Sequence, residues 1–367
     1  MRQDHPLVPL AGGGYLLSRA ADVEAAFTDR RLGNAPSRFS VLAEKNRGQS
    51  VAADLCANIP PFLDMPRHAD LRRPLSAAFH ATFAGSADWL GALAEEELDG
   101  QAAEFDVVAD FAGPFAARAM ARFLGLAADA ELMRRSSAAL FRLFAPITSR
   151  SDLAQADADL ARARRAMTPV AGGAGLIAAM AETGAMTDQE IADNAILVLA
   201  DGIENIEAAV ALVLLTLERV PQLRDDWLGG RLGTAEMLPE ALRLNSPAQI
   251  IPRVVRDGHD RHGIRLEVGT PLFLALGSAN LDPDAFDGPE KFDATRADPG
   301  RYVFGRGRHS CIGAPLARAM IAAALEALRQ RGVGLAGQAD RVRYHRRFGH
   351  RWPEALPVRL EGARAAG

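Results

Sequence analysis

The chain has 367 residues, 49% apolar and 24% charged, a globular composition that excludes an intrinsically disordered protein. Its net charge of −4 and isoelectric point near 6.1 give no global pull toward nucleic acid or an anionic membrane. Two cysteines, Cys56 and Cys311, exclude a zinc cluster or a disulfide framework and suit a reduced, cytoplasmic setting.

In chain order, helical periodicity recurs over residues 20–27, 68–79, 88–98, 107–126, 156–167, 188–217, 238–244 and 315–329. Strand-like pieces are short, at 15–17, 251–255, 264–267, 271–274 and 356–360. Helices and strands do not alternate, which argues against a doubly wound sheet. The expected fold is mainly α with small β-sheets, in one α-rich domain over 1–367. Its helical core is placed at about 68–245 and 312–332, and its β-rich and irregular segments at about 10–20, 246–304 and 340–361. The most apolar run, 208–217, has ten residues, whereas a bilayer span needs about 20. No secretory pattern opens the chain, so no membrane partner is expected.

The longest helix begins at a capping box, Thr187-x-x-Glu190, and runs to Arg219 with Gly202 as the one residue that could break it. Its flanks are apolar almost all round, as in a buried helix. Yet Asp201, Glu204, Asn205 and Glu207 sit in its middle, the first three on one face by their i, i+3, i+4 spacing. Buried acids are costly unless paired, hydrated or functional. A local kink with a solvated stripe explains the pattern equally well.

The segment Phe304-Gly305-x-Gly307-x-His309-x-Cys311-x-Gly313 is the most informative. It reads as a tight loop that delivers a cysteine to a helix opened by Pro315. Backbone N–H groups at such a helix start favour a thiolate, a soft metal ligand. Taken alone, the loop also admits half of a dinucleotide motif, a nucleophilic cysteine beside His309, or a merely buried thiol.

The whole pattern, followed by Leu316-Ala317-Arg318, resembles the haem-ligand loop of the cytochrome P-450 superfamily. The resemblance spans roughly residues 10–360 and implies that family's triangular α-rich fold, shortened at the N-terminus and in a glycine-rich lid over 150–181. It implies haem b (iron protoporphyrin IX) with Cys311 as axial thiolate, which favours O–O cleavage. Phe304, Gly305, His309 and Gly313 match the cofactor loop. His68, Arg72, Arg253 and His309 match the clamps on the haem propionates. Glu240, Arg243 and Arg296 resemble the family's structural Glu-Arg-Arg cluster, and Asn280-Leu281-Asp282-Pro283 its Asn-Arg-Asp-Pro turn apart from Leu281.

By the same resemblance, Asp201, Gly202, Glu204 and Asn205 occupy the catalytic stretch of the long helix. The family's threonine there, which helps deliver protons to dioxygen, is Asn205, and its small first residue is Asp201. Asparagine offers no hydroxyl. The pocket walls are expected from Leu199, Ile203, Ala248, Gln249, Ile250 and Phe348, with polarity from Gln249, His350 and Arg351. The implied function is oxidation of a small organic molecule or short peptide in secondary metabolism, with ferredoxin and ferredoxin reductase as electron donors. The alternatives are non-hydroxylating chemistry (coupling, desaturation, nitration or peroxide-driven oxidation), motivated by Asn205, and a non-enzymatic haem sensor.

Overall fold

The computed structural model describes residues 5–36, 40, 42–84, 87–127, 129–144, 150–335 and 340–360. Its centre is the helix Asp188–Arg219, and 22 of its 32 residues are buried. The capping box forms: Thr187 Oγ1 accepts the Glu190 N–H at 3.3 Å, and Glu190 Oε2 accepts the Thr187 N–H at 2.7 Å. The helix runs unbroken through Gly202, contrary to the kink that glycine suggested. A Cβ at Gly202 would fall 2.4 Å from Met120 Sδ. The glycine thus lets the helix Gly113–Leu124 pack closely against the centre.

Helices pack around this axis into one large apolar core. Arg67–Phe83, Ala87–Asp99, Thr234–Leu244 and Ala314–Gln330 fall where periodicity puts them, within a few residues. Periodicity did not reveal Ala130–Phe144. Ser136 and Ser137 interrupt its apolar pattern, yet both are fully buried, and Ser136 Oγ bonds back to the Leu132 carbonyl at 2.6 Å. Ala130–Phe144 and Arg150–Ala166 are helices of 15 and 17 residues, and Gly172 and Gly173 lie beyond them, before the helix Gly175–Glu182.

A smaller core sits under a five-stranded sheet. Its strand order is Leu7–Pro9, Tyr15–Leu17, Pro271–Ala275, Ile250–Val255 and Leu32–Gly33. Tyr15–Leu17 pairs with Pro271–Ala275 in parallel, and the other pairings are antiparallel. The strands Glu104–Asp106, Pro357–Leu360 and Val333–Leu335 form a second, antiparallel sheet. Among the described residues, no helix is long and apolar enough to cross a membrane.

Candidate active site

The cysteine loop leads into the helix Ala314–Gln330. Gly305 and Gly307 adopt φ of +64° and +73°, conformations that favour glycine and let the chain turn twice in three residues. The Cys311 N–H closes the loop on the Phe304 carbonyl at 2.8 Å. The Arg318 guanidinium lies 4.8 Å from the centre of the Phe304 ring. Desolvation by the surrounding protein atoms pushes the Cys311 thiol up to about 11 although the residue is exposed, and the nearby Asp201 carboxylate pushes the same way. The backbone N–H groups of Gly313 and Ala314, and Arg72, pull it down. Without a cation the helix start therefore does not secure the thiolate; a bound metal ion reverses that balance.

Beside the loop is a cluster of basic side chains, two arginines and two histidines. His68 is buried on the helix Arg67–Phe83, its ring centre 4.3 Å from that of His309, and its Nε2 has no hydrogen-bond partner among the described residues. Arg72, one turn on, donates from Nη2 to the Ser310 carbonyl at 2.6 Å. Arg253 is buried and donates to the Pro252 carbonyl at 2.8 Å. Burial, then the charge of Arg308, lowers Arg253 to about 10. His309 is pushed down to about 3 by burial, then by His68, Arg253, Arg308 and Arg72. The nearby carboxylate, Asp64, is paired with Arg256 at 2.9 Å. Buried cations without matching anions are costly. The cluster fits a ligand that brings carboxylates of its own, as a haem with two propionates does.

Glu240, Arg243 and Arg296 come together as expected. Arg243 is fully buried and grips Glu240 twice, Nε to Oε2 at 2.7 Å and Nη2 to Oε1 at 2.6 Å. Its Nη1 donates to the carbonyls of Asn280 and Pro289 at 2.6 and 2.7 Å. Arg296 Nε reaches Glu240 Oε1 at 3.0 Å. In the Asn280–Pro283 turn, Asp282 Oδ2 accepts the Ala20 N–H at 2.6 Å and so anchors the helix Ala20–Thr28.

These features match known proteins. Residues 234–331 match the family model described as cytochrome P-450. The biotin biosynthesis cytochrome P-450 of Bacillus subtilis is 30% identical over 272 residues, 70% of this chain and 68% of that protein. The chain is a cytochrome P-450. The mycinamicin IV hydroxylase/epoxidase of Micromonospora griseorubida is 29% identical, covering 95% of this chain and 90% of that protein. The crystal structure of CalO2 superposes with a TM-score of 0.89 at 26% identity, covering 98% of this chain and 94% of that one. The protein is thus a haem-thiolate oxidoreductase of the P-450 superfamily.

The central helix of this P-450 carries the rest of the site. Desolvation by the surrounding protein atoms, then the charge of Glu204, raises the Asp201 carboxyl to about 7. Glu204 Oε1 accepts from Ser137 Oγ at 2.8 Å, and its Oε2 lies 2.6 Å from Arg347 Nη1. Asn205 Oδ1 is buried without a partner among the described residues. Leu199 and Ile203 are buried on the same helix. Ala248, Gln249 and Ile250 adjoin the turn containing Phe348: the N–H groups of Gln249 and Ile250 donate to the Gly349 carbonyl at 2.8 and 3.0 Å. Phe348 packs on Phe273, ring centres 5.3 Å apart.

The three expected sources of pocket polarity are engaged elsewhere. Gln249 Nε2 donates to the Ser246 carbonyl at 2.6 Å, and its Oε1 fills the space left by Gly277, 2.0 Å from where a Cβ would be. Arg351 lies against Tyr344, donating to its hydroxyl at 3.2 Å. His350 Nδ1 lies 3.0 Å from the Phe348 carbonyl. The arginine that reaches the helix acids is Arg347. Sequence reading missed it, with Ser137, because three distant segments meet only in the fold.

Proposed function

We propose that this P-450 holds haem b through Cys311 and oxidises a small organic molecule or short peptide. The observation that carries the reading is the cluster of two arginines, Arg72 and Arg253, and two hydrogen-bonding histidines, His68 and His309, beside the Cys311 loop, with Asp64 already paired. His68, Arg72, Arg253 and His309 would hold the propionates, and Phe304, Gly305 and Gly313 would shape the loop around the ring. When bound, the haem supplies thiolate-supported O–O cleavage.

The chain's own residues then order the substrate and the protons. Leu199, Ile203 and the paired segments at Ala248–Ile250 and Phe348 wall the pocket. Glu204, fixed by Ser137 and Arg347, and Asp201 hold protons beside it. Asn205 orients hydrogen bonds but carries no hydroxyl. Gly202 acts through packing against Met120. Electrons come from a ferredoxin and ferredoxin reductase, as the family resemblance implies.

The test is spectral and chemical. The reduced carbon-monoxide complex is expected to show the red-shifted Soret band of thiolate ligation; a haem-loaded protein without that band refutes the reading. Asn205 favours a second reading, a dehydrogenating or coupling oxidation. Product mass separates the two: one oxygen gained for hydroxylation, two hydrogens lost for the alternative.

A further inference from the structure

The C-terminal turn at residues 347–350 is fixed to the chain at 247–250, one side of the pocket. Ala248 and His350 form an antiparallel bridge, the Gly349 carbonyl takes the N–H groups of Gln249 and Ile250, and the Arg351 N–H donates to the Pro247 carbonyl at 2.8 Å. Gly349 holds a φ of +73°, and a Cβ there would fall 2.7 Å from the Ile250 carbonyl oxygen. Glycine is what lets the turn sit this close. From the turn, Arg347 reaches across to the central helix, which carries Leu199 and Ile203 on the other side of the pocket. Its Nη1 lies 2.6 Å from Glu204 Oε2.

Further contacts stiffen this reach. The Arg347 guanidinium lies 4.8 Å from the centre of the Trp352 ring and 5.9 Å from that of Phe141. Phe141 packs edge-on against Trp352 and His350, with ring centres 4.8 and 5.4 Å apart. Ser137, one turn before Phe141 on the helix Ala130–Phe144, donates to the other Glu204 oxygen at 2.8 Å. Three segments thus meet at one ion pair. The Arg347 side chain is still 33% exposed, and Phe348 beside it is 39% exposed although apolar. The pair therefore borders open space instead of lying inside the packed core.

We propose that Arg347 is a specificity-determining residue: with Glu204 it forms a crossbar that ends the substrate pocket at the turn, so that the enzyme takes compact molecules and excludes long unbranched chains. The proposal rests on the oxidase reading, which supplies the pocket. The guanidinium is planar and always charged, and here a carboxylate holds its edge while an indole covers its face. A hydrocarbon chain passing this point has to push the guanidinium off both partners and offers no acceptor in exchange. A compact substrate stops short of the pair and leaves it intact.

The experiment uses the haem-loaded enzyme and a series of N-alkylimidazoles from butyl to dodecyl. The imidazole nitrogen anchors on the haem iron and shifts the Soret band, so the alkyl chain measures the room beyond. Each further CH₂ buried in open apolar space tightens binding about fourfold. In wild type that gain is expected to stop within the series. The quantity read is the ratio of dodecyl to butyl affinity, which cancels any general loss of fold or haem. Arg347→Ala and Glu204→Ala are each expected to raise that ratio about tenfold, the effect of roughly two more buried CH₂ groups. Arg347→Lys, which can keep the ion pair, is expected to keep the wild-type ratio. Affinity that climbs through dodecyl in wild type, or an unchanged ratio in Arg347→Ala, overturns the crossbar. A raised ratio in Arg347→Ala with a wild-type ratio in Glu204→Ala overturns the part given to the ion pair. Absence of the thiolate carbon-monoxide band in haem-loaded wild type is a distinct failure, that of the oxidase reading.

Discussion

Arg164 holds Asp193 by two parallel hydrogen bonds, Nε to Oδ1 at 2.7 Å and Nη2 to Oδ2 at 2.9 Å. The bond pair ties the helix Arg150–Ala166 to the central helix at a fully buried carboxylate. Asn58 Nδ2 adds a third contact to Oδ2 at 2.8 Å. Burial raises the Asp193 carboxyl, and Arg164 and Asn58 counter it. Removing the arginine leaves a buried acid with one weak partner, at a cost of about 3 kcal/mol. Arg164→Met is therefore expected to lower the unfolding midpoint and speed proteolysis within 150–166. Arg164→Met with Asp193→Leu is expected to recover most of the loss; a double variant no better than the single one contradicts the ion-pair account.

Arg243 and Glu240 form a fully buried pair. Arg243 also caps the carbonyls of Asn280 and Pro289, so its loss strands several acceptors together. Breaking such a pair costs about 3–5 kcal/mol, a large part of a typical stability of roughly 5–15 kcal/mol. Arg243→Ala is expected to give aggregating, haem-poor protein. Soluble, fully haem-loaded Arg243→Ala would count against the cluster as scaffold.

Cys311→Ser tests the ligand directly. Cys56, the other thiol, is buried, and burial followed by the Asp193 charge pushes it far up, so it offers no accessible substitute. The variant is expected to lose the red-shifted band of the reduced carbon-monoxide complex. An unchanged spectrum refutes the assignment of Cys311.

Glu207 makes stability depend on pH. Its folded carboxyl lies at about 7, above the ordinary 4.5, chiefly through burial. The folded state therefore binds the proton more tightly, so the contribution is full below 4.5 and is lost as pH rises to about 7. The loss is about 3 kcal/mol. Urea unfolding is expected to show wild type weakening across this window more than Glu207→Gln, and the variant more stable than wild type at pH 8. Parallel curves for the two proteins remove the buried-acid account.

What could be read in the sequence was local. The Cys311 loop, the Glu240–Arg243 pair and the His68–Arg72 pair each lie within one turn or one helix, so residue spacing already encodes their geometry. The hidden parts are meetings between distant segments. Arg347 and Ser137 converge on Glu204 from a C-terminal turn and from a helix whose two serines masked its period. Gly202 looked like a helix break, yet the packing of Met120 against it explains why glycine stands there. Gln249 and Arg351 looked free because their partners Ser246 and Tyr344 were not read as anchors.

Asn205 is expected to decide what the enzyme does with oxygen. Its Oδ1 is buried without a partner among the described residues, one residue past Glu204 and about one turn past Asp201. If the native reaction draws protons through a hydroxyl at this point, the asparagine slows it, and positioned proton transfer is worth about 10²–10⁴-fold. If the substrate or Asp201 supplies the proton, the asparagine costs nothing and a threonine adds nothing. We predict the second case for the native substrate: Asn205→Thr raises the ratio of oxygenated product to wasted hydrogen peroxide on a surrogate substrate and leaves native turnover no better. The measurement is product formed per electron donor consumed, wild type against variant, on both substrates. Improved native turnover would make Asn205 a tolerated defect, and no response on either substrate would show that protons arrive without this residue.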